Sequence, residues 1–242
     1  MVGEKIYTMA DMLWHRSELS PGLICFESLS HSDPPRGEHC NLQSEKHPFV
    51  RGPRRYQTDD FLYDQGDITR YVYLLTSGMV RRCRVLANGR RQILSFSLPG
   101  DIFSMTLHHQ HSASAEAVTN MSVMFVERRK LLSLADSDSG VAQALLEVMM
   151  RDHDDMQEHM LSLTRSAESR LARFLLRYSA RLQGPPQLSL PMTLRDIADY
   201  LGLTLETVSR TLNGMKCSGV IERAGPRQIS LRDRSALECL AE

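Results

Sequence analysis

The stretch LRDIADYLGLTLETVSRTLN, residues 194–213, places side chains that could read a nucleic acid on one short segment. Glu206 and Arg210 are four residues apart, so on a helix they share a face, with Leu205 and Ser209 beside them and Val208 and Leu212 opposite. An arginine fork matches the O6/N7 pair of guanine, a carboxylate accepts from the cytosine amino group, and an apolar or hydroxyl side chain touches a thymine methyl. Leu205, Glu206, Ser209 and Arg210 are therefore the candidate base-reading residues. Thr193, Arg195, Thr204 and Thr207 are candidates for the sugar-phosphate backbone. The plainer chemistry is an i,i+4 ion pair between Glu206 and Arg210, worth about 0.2–0.5 kcal/mol. The two roles are compatible, since such a pair holds Arg210 in place before DNA arrives.

Reading requires elements that present this face. Thr193 and Asp196 have capping-box spacing, with Asp in place of the usual Glu, and open a helix carrying Ile197, Ala198, Tyr200 and Leu201. Gly202 supplies a tight turn. Thr204 caps a second helix running to about Lys216, with Val208, Leu212 and Met215 inward. Helix, glycine turn, helix is the helix-turn-helix pattern, in which the second helix enters the major groove. The stretch SGVIERAGPRQISL after it reads as two strands and a turn, a wing.

The rest of the chain is organised around this unit. Residues 1–49 have no period of 2 or 3.6 and read as a variable arm, with one possible short helix around Trp14. Residues 50–135 hold short runs such as YVYLLTSG, MVRRCRVLANG, RRQILSFSLPGD and SVMFVE, punctuated by Gly66, Gly78, Gly89 and Gly100, which predict an antiparallel β-roll. Asn88-Gly89 predicts a hairpin with a type I′ turn. Residues 136–165 carry a helical apolar stripe of Val141, Leu145, Val148, Met149, Met156, Met160 and Leu163, with Asp152 near it. That stripe resembles a coiled-coil seam and predicts a dimerisation helix. Residues 166–242 form a winged helix-turn-helix domain, starting with a helix that turns Leu171, Phe174, Leu175 and Tyr178 inward. The expected fold class is α+β.

Composition sets limits. The 242 residues are 42% hydrophobic and 24% charged with a formal net charge of zero, a globular balance that names no partner. From residue 168 onward there are 11 Lys+Arg against 8 Asp+Glu, a modest basic bias toward a polyanion. No apolar run is long enough to span a membrane and no secretory leader is visible, so a cytoplasmic location is expected. Five scattered cysteines, Cys25, Cys40, Cys83, Cys217 and Cys239, fit a reducing compartment better than a disulfide framework. No P-loop, nucleophile elbow or HExxH is present, which argues against an enzyme.

Over about residues 50–240 the order of roll, long helix and winged helix resembles the CRP/FNR superfamily. YDQGD, GRRQILSFSLPGDIF, SAEAVT and above all DIADYLGLTLETVSRTL resemble its FixK branch. The resemblance implies a homodimeric regulator, mainly an activator, on double-stranded DNA with a TTGA…TCAA-type palindrome. Arg210 would read the guanine, Glu206 the opposite strand, and Leu205 or Ser209 a thymine methyl. It further implies contact of the roll with RNA polymerase and control of low-oxygen genes of respiration, nitrogen fixation or denitrification.

Effector-binding patterns of the superfamily are broken here. Cys25 and Cys40 are too far apart for the closely spaced cysteines of an FNR-type iron–sulfur cluster, and Cys83 falls in a predicted strand. Where cyclic-nucleotide binders have Gly-Glu and Arg-Ser, this chain reads Ser104-Met105 and His111-Ser112, which removes the charged hydrogen bonds to ribose and phosphate. His108, His109 and His111 invite a metal reading but sit on a predicted loop, where solvated side chains are the default. The expectation is therefore no metal and no cofactor; the alternative is a ligand-, metal- or haem-gated sensor. Cys217, one residue past the predicted recognition helix, is the candidate redox switch, against the plain role of a partly buried small residue.

Overall fold

Residues 50–242, except Pro186 and Pro226, are described by the computed structural model; the expected arm, with Trp14, Cys25 and Cys40, lies outside them. Eight strands come first: β1 (Val50–Tyr56), β2 (Phe61–Tyr63), β3 (Tyr71–Ser77), β4 (Val80–Val85), β5 (Arg91–Ser97), β6 (Ile102–Phe103), β7 (Ser114–Ala117) and β8 (Met121–Glu127). They form two antiparallel four-stranded sheets, β1-β8-β3-β6 and β2-β7-β4-β5. Alternate residues of both sheets, among them Tyr63, Tyr73, Leu75, Val80, Ala117 and Val123, meet in one core between them. The β4–β5 hairpin falls at Asn88-Gly89, but the turn differs from the expected I′ type. Gly89 has φ +77° whereas Asn88 is not in the left-handed region. Leu86 and Arg90 close the loop through Leu86 N–H to Arg90 O, 2.9 Å, which leaves three residues rather than two at the tip.

Helices α1 (Arg128–Ser137) and α2 (Ser139–Ser162) follow. Asp138 separates them: its carboxylate accepts from the N–H groups of Gly140 and Val141 and so caps α2. Helix α1 was not expected from the sequence, which had placed residues up to 135 in the roll; its ten residues RRKLLSLADS bury only Leu131.

The apolar stripe of α2 serves two surfaces. Val141 and Leu145 were expected on the dimer seam. Instead they are buried against the outer face of the first sheet, with Val72, Ile102, Val126 and Leu131, and Val148 packs beside them. The physical reason is that this sheet face is itself apolar and the first turns of α2 cover it. Further along, Met149, Met156 and Met160 are exposed, as are Leu146, Met150 and Leu161, which the expected seam had not included. Asp152 is exposed, and Leu163 packs near the Gly202 turn.

The remainder comprises α3 (Ala167–Arg181), β9 (Gln187–Ser189), α4 (Leu194–Leu201), α5 (Leu205–Cys217), β10 (Ile221–Gly225), β11 (Gln228–Leu231) and α6 (Arg234–Ala241), with sheet order β10-β11-β9. Ser166 caps α3 and Asp233 caps α6. Leu171, Phe174, Leu175 and Tyr178 of α3 are buried with Ile197, Leu201, Val208, Leu212 and Met215. Met79, Leu98 and Val118 of the roll belong to this same cluster, so the two parts of the chain share apolar core.

Candidate nucleic-acid interface

The local rules that predict the helix-turn-helix are all realised. Thr193 accepts from the Asp196 N–H at 3.1 Å, and the Asp196 carboxylate accepts from the Thr193 N–H at 2.9 Å, a complete capping box. Gly202 ends α4 at φ +65°, where a side chain would be strained, and its N–H bonds the Ala198 carbonyl. Two residues later the Thr204 hydroxyl accepts from the Thr207 N–H at 3.2 Å and starts α5. Val208, Leu212 and Met215 then face the core, which leaves the opposite side of α5 to solvent.

On that side Glu206 and Arg210 are exposed, and Leu205 and Ser209 are half-buried. The expected Glu206–Arg210 pair is not formed: among the described residues no ion pair or hydrogen bond engages Arg210. Glu206 turns back to the helix start instead. Its own N–H and the Thr204 hydroxyl bond its charged form, with Arg195 adding attraction, and hold the carboxyl below its ordinary value. Arg210 is thus a free fork standing out from the helix, with five N–H donors to offer.

The backbone candidates divide. Arg195, Thr204 and Thr207 border the exposed face. Thr193 is exposed, and its hydroxyl and N–H both bond Asp196, at 2.8 and 2.9 Å, as part of the cap. Cys217 ends α5 and is exposed rather than partly buried as in its plain reading, and Cys239 is also exposed. Cys83 is buried, and burial pushes its thiol up.

Sequence reasoning missed the link between this unit and the roll. Asp196 is only 2% exposed and receives Arg81 of β4 and Arg91 of β5, at 3.4 and 2.6 Å. Arg81 also pairs with Glu116 of β7 through Nε at 3.0 Å, and Arg91 reaches Asp199 at 2.9 Å. Burial raises the Asp196 carboxyl, but the Thr193 N–H and hydroxyl and the two arginines outweigh it and leave the carboxyl below its ordinary value. His159 of α2 lies flat on Tyr200 of α4, with ring centroids 4.1 Å apart. The signal for the link was present as charged residues inside strands, RRCR and RRQ, but nothing local names a partner more than 100 residues away.

Ser104-Met105 and His111-Ser112, read above in place of the cyclic-nucleotide ligands, lie in the loop between β6 and β7. Ser104 has φ +68° and is buried, a backbone position suited to glycine. His111 is also buried and stacks on Tyr63 at 3.6 Å, with Nδ1 3.4 Å from the Ser104 hydroxyl. Burial makes its ring less basic; Asp67 opposes this while Arg128 and Arg82 add to it. The residue that the sequence puts in place of a phosphate-binding arginine is thus a buried ring stacked on Tyr63. His108 and His109 are exposed, and no group of three or more His, Cys, Asp or Glu among the described residues could hold a metal ion. No helix among those residues is long and apolar enough to cross a membrane.

Comparison with known proteins agrees with this geometry. A cyclic nucleotide-binding domain model matches residues 53–138, and a Crp-like helix-turn-helix model matches residues 169–240. The chain is 38% identical to the nitrogen fixation regulation protein FixK of Azorhizobium caulinodans over 194 residues, 78% of each chain. It is 37% identical to FixK of Rhizobium meliloti, covering 79% of this chain and 89% of that one. Among solved structures, FixK2 from Bradyrhizobium japonicum superposes with a TM-score of 0.76 at 40% identity, covering 79% of this chain and 97% of that one.

Proposed function

The chain belongs to the CRP/FNR family of regulators, with FixK proteins among its relatives, and from that premise we propose how this DNA-binding transcription regulator, rather than enzyme, works. It acts as a homodimer on a TTGA…TCAA-type palindrome, without a bound effector, and mainly activates. The single observation that carries this reading is the exposed, unpaired Arg210 beside Glu206 on a capped and core-anchored α5. Arg210 reads guanine, Glu206 the neighbouring base on the other strand, and Leu205 or Ser209 a thymine methyl. Arg195, Thr204 and Thr207 contact the backbone. The exposed methionines of α2 form the seam, and two recognition helices then enter successive major grooves about 34 Å apart.

Freedom from an effector is supported by the His111–Tyr63 stack in the roll. The reading extends to contact of the roll with RNA polymerase, a cytoplasmic location and control of low-oxygen genes; the nitrogen-fixation names of the FixK relatives support the last of these. The exposed Cys217 is the proposed point of oxidative inhibition, because a sulfinate there adds negative charge at the end of the reading helix.

The test is fluorescence anisotropy of the reduced, metal-free protein on the palindrome and on a scrambled duplex at fixed salt, repeated after peroxide. Selective binding is expected, lost on oxidation and retained by Cys217→Ser. Binding that appears only with added haem, metal or nucleotide would overturn the reading in favour of a gated sensor.

A further inference from the structure

The charged groups between the roll and α4 are arranged as a grip. Two arginines from neighbouring strands, Arg81 and Arg91, reach two carboxylates one turn apart on the same face of α4, Asp196 and Asp199. Gln92 adds a hydrogen bond from Nε2 to the Asp199 carbonyl at 2.7 Å, at the C-terminal end of that helix. Behind Arg81, Glu116 and Asp59 hold the guanidinium in place. Among the described residues, the groups bonded to Asp196 are the Thr193 cap from its own helix and the two arginines from the roll.

Such a set of partly buried ion pairs contributes little net stability, because desolvation offsets much of the attraction, but it fixes geometry. Four directional contacts on one helix face determine the rotation of α4 about its axis. The two-residue turn Gly202-Leu203, with Leu203 N–H bonded to the Ala198 carbonyl at 3.0 Å, passes that orientation to α5. The apolar contact of Met79, Leu98 and Val118 holds the two parts together but, being non-directional, leaves this rotation open.

We propose that Arg91, acting with Arg81 and Gln92, is a positioning residue for DNA recognition: its grip on Asp196 and Asp199 sets the angle of the winged helix so that both recognition helices of a dimer meet their grooves without a ligand. The proposal rests on the dimeric, effector-free reading above. Loss of the grip leaves each reading helix intact but misaligns the pair, so the penalty falls on simultaneous engagement of two half-sites.

The experiment compares the wild-type protein, Arg91→Glu, Asp199→Arg and the double variant on a full palindrome and on a single half-site duplex. Arg91 and Asp199 are both partly exposed, and circular dichroism with a thermal midpoint checks that each variant is folded before binding is compared. Arg91→Glu should weaken palindrome binding by about tenfold or more while half-site binding changes less than about twofold, and the double variant should recover only part of the loss, since it restores the 91–199 pair but not the Arg91 contact to Asp196. Unchanged palindrome binding, or equal losses on both duplexes, overturns the proposal. Hydrogen exchange without DNA gives a separate reading: α4 amides should exchange faster in Arg91→Glu and recover in part in the double variant, and unchanged exchange in Arg91→Glu also overturns it. A wild-type protein with no preference for the palindrome over the half-site would instead sink the dimeric reading, and the exchange data alone would then decide the grip.

Discussion

Replacing Arg210 by alanine separates reading from folding. The side chain is exposed and, among the described residues, engages no partner, so its loss should change stability by no more than about 0.5 kcal/mol. On DNA the same change removes a bidentate contact worth about 1–3 kcal/mol. A dimer loses it twice, so roughly 2–6 kcal/mol disappears, which corresponds to about 30-fold to 20,000-fold in affinity. Anisotropy titrations should run at several salt concentrations, on the palindrome and on a duplex with both guanines replaced. Arg210→Ala should bind the two duplexes about equally, and its slope of log affinity against log salt should match wild type, because no phosphate contact is lost. A shallower slope with guanine preference intact would make Arg210 a backbone contact. Unchanged affinity and preference would refute the assignment outright. The orientation of Glu206 gives an internal control: since it bonds the helix start and not Arg210, Glu206→Gln and Arg210→Ala should be additive in stability without DNA.

Two further predictions follow from packing and charge. Met149→Glu with Met156→Glu should give monomers in sedimentation while the thermal midpoint of the monomer unit stays near wild type, because both side chains are exposed within the chain; persistent dimers would place the seam elsewhere. Asp196→Asn should cost about 2 kcal/mol in urea unfolding near neutral pH, where the charged form is held by Thr193, Arg81 and Arg91. A carboxyl held below its ordinary value stabilises the fold above its unfolded value of about 4 and loses that contribution as pH falls through the lower folded value, so the gap between wild type and variant should shrink as pH falls below about 4. A gap that stays constant with pH would refute the charge argument.

The helix-turn-helix was legible because its rules are local. A Thr-Asp capping box, a left-handed glycine and a Thr cap all act within about one or two helical turns, and each is decided by the residues themselves. The β4–β5 hairpin was legible as a hairpin, but its turn type depended on one backbone angle at Asn88 that sequence does not fix. The dimer stripe was half legible. Periodicity reports that Val141 and Leu145 must be covered, yet says nothing of whether the cover is a partner or the chain's own sheet. Asp196 was read correctly as a cap, while its second role depended on Arg81, which is 115 residues distant and turned inward on a strand with a register shift.

The division of α2 explains how one helix can serve the whole molecule. Its 24 residues span about 36 Å, longer than the roll needs. The first turns are spent on the sheet through Val141, Ala144 and Leu145; the middle presents Met149 and Met156 outward; the end stacks His159 on Tyr200 of α4. Methionine suits the middle position, since its flexible thioether can fill a seam with a second copy of itself and still tolerate water in a free chain. A helix anchored at both ends by its own chain presents that middle in a fixed orientation. The axis of any dimer formed there is then set relative to α4, and through Gly202 relative to α5. On the proposed effector-free reading, the spacing of two reading helices is then a property of intrachain contacts rather than of a ligand in the roll.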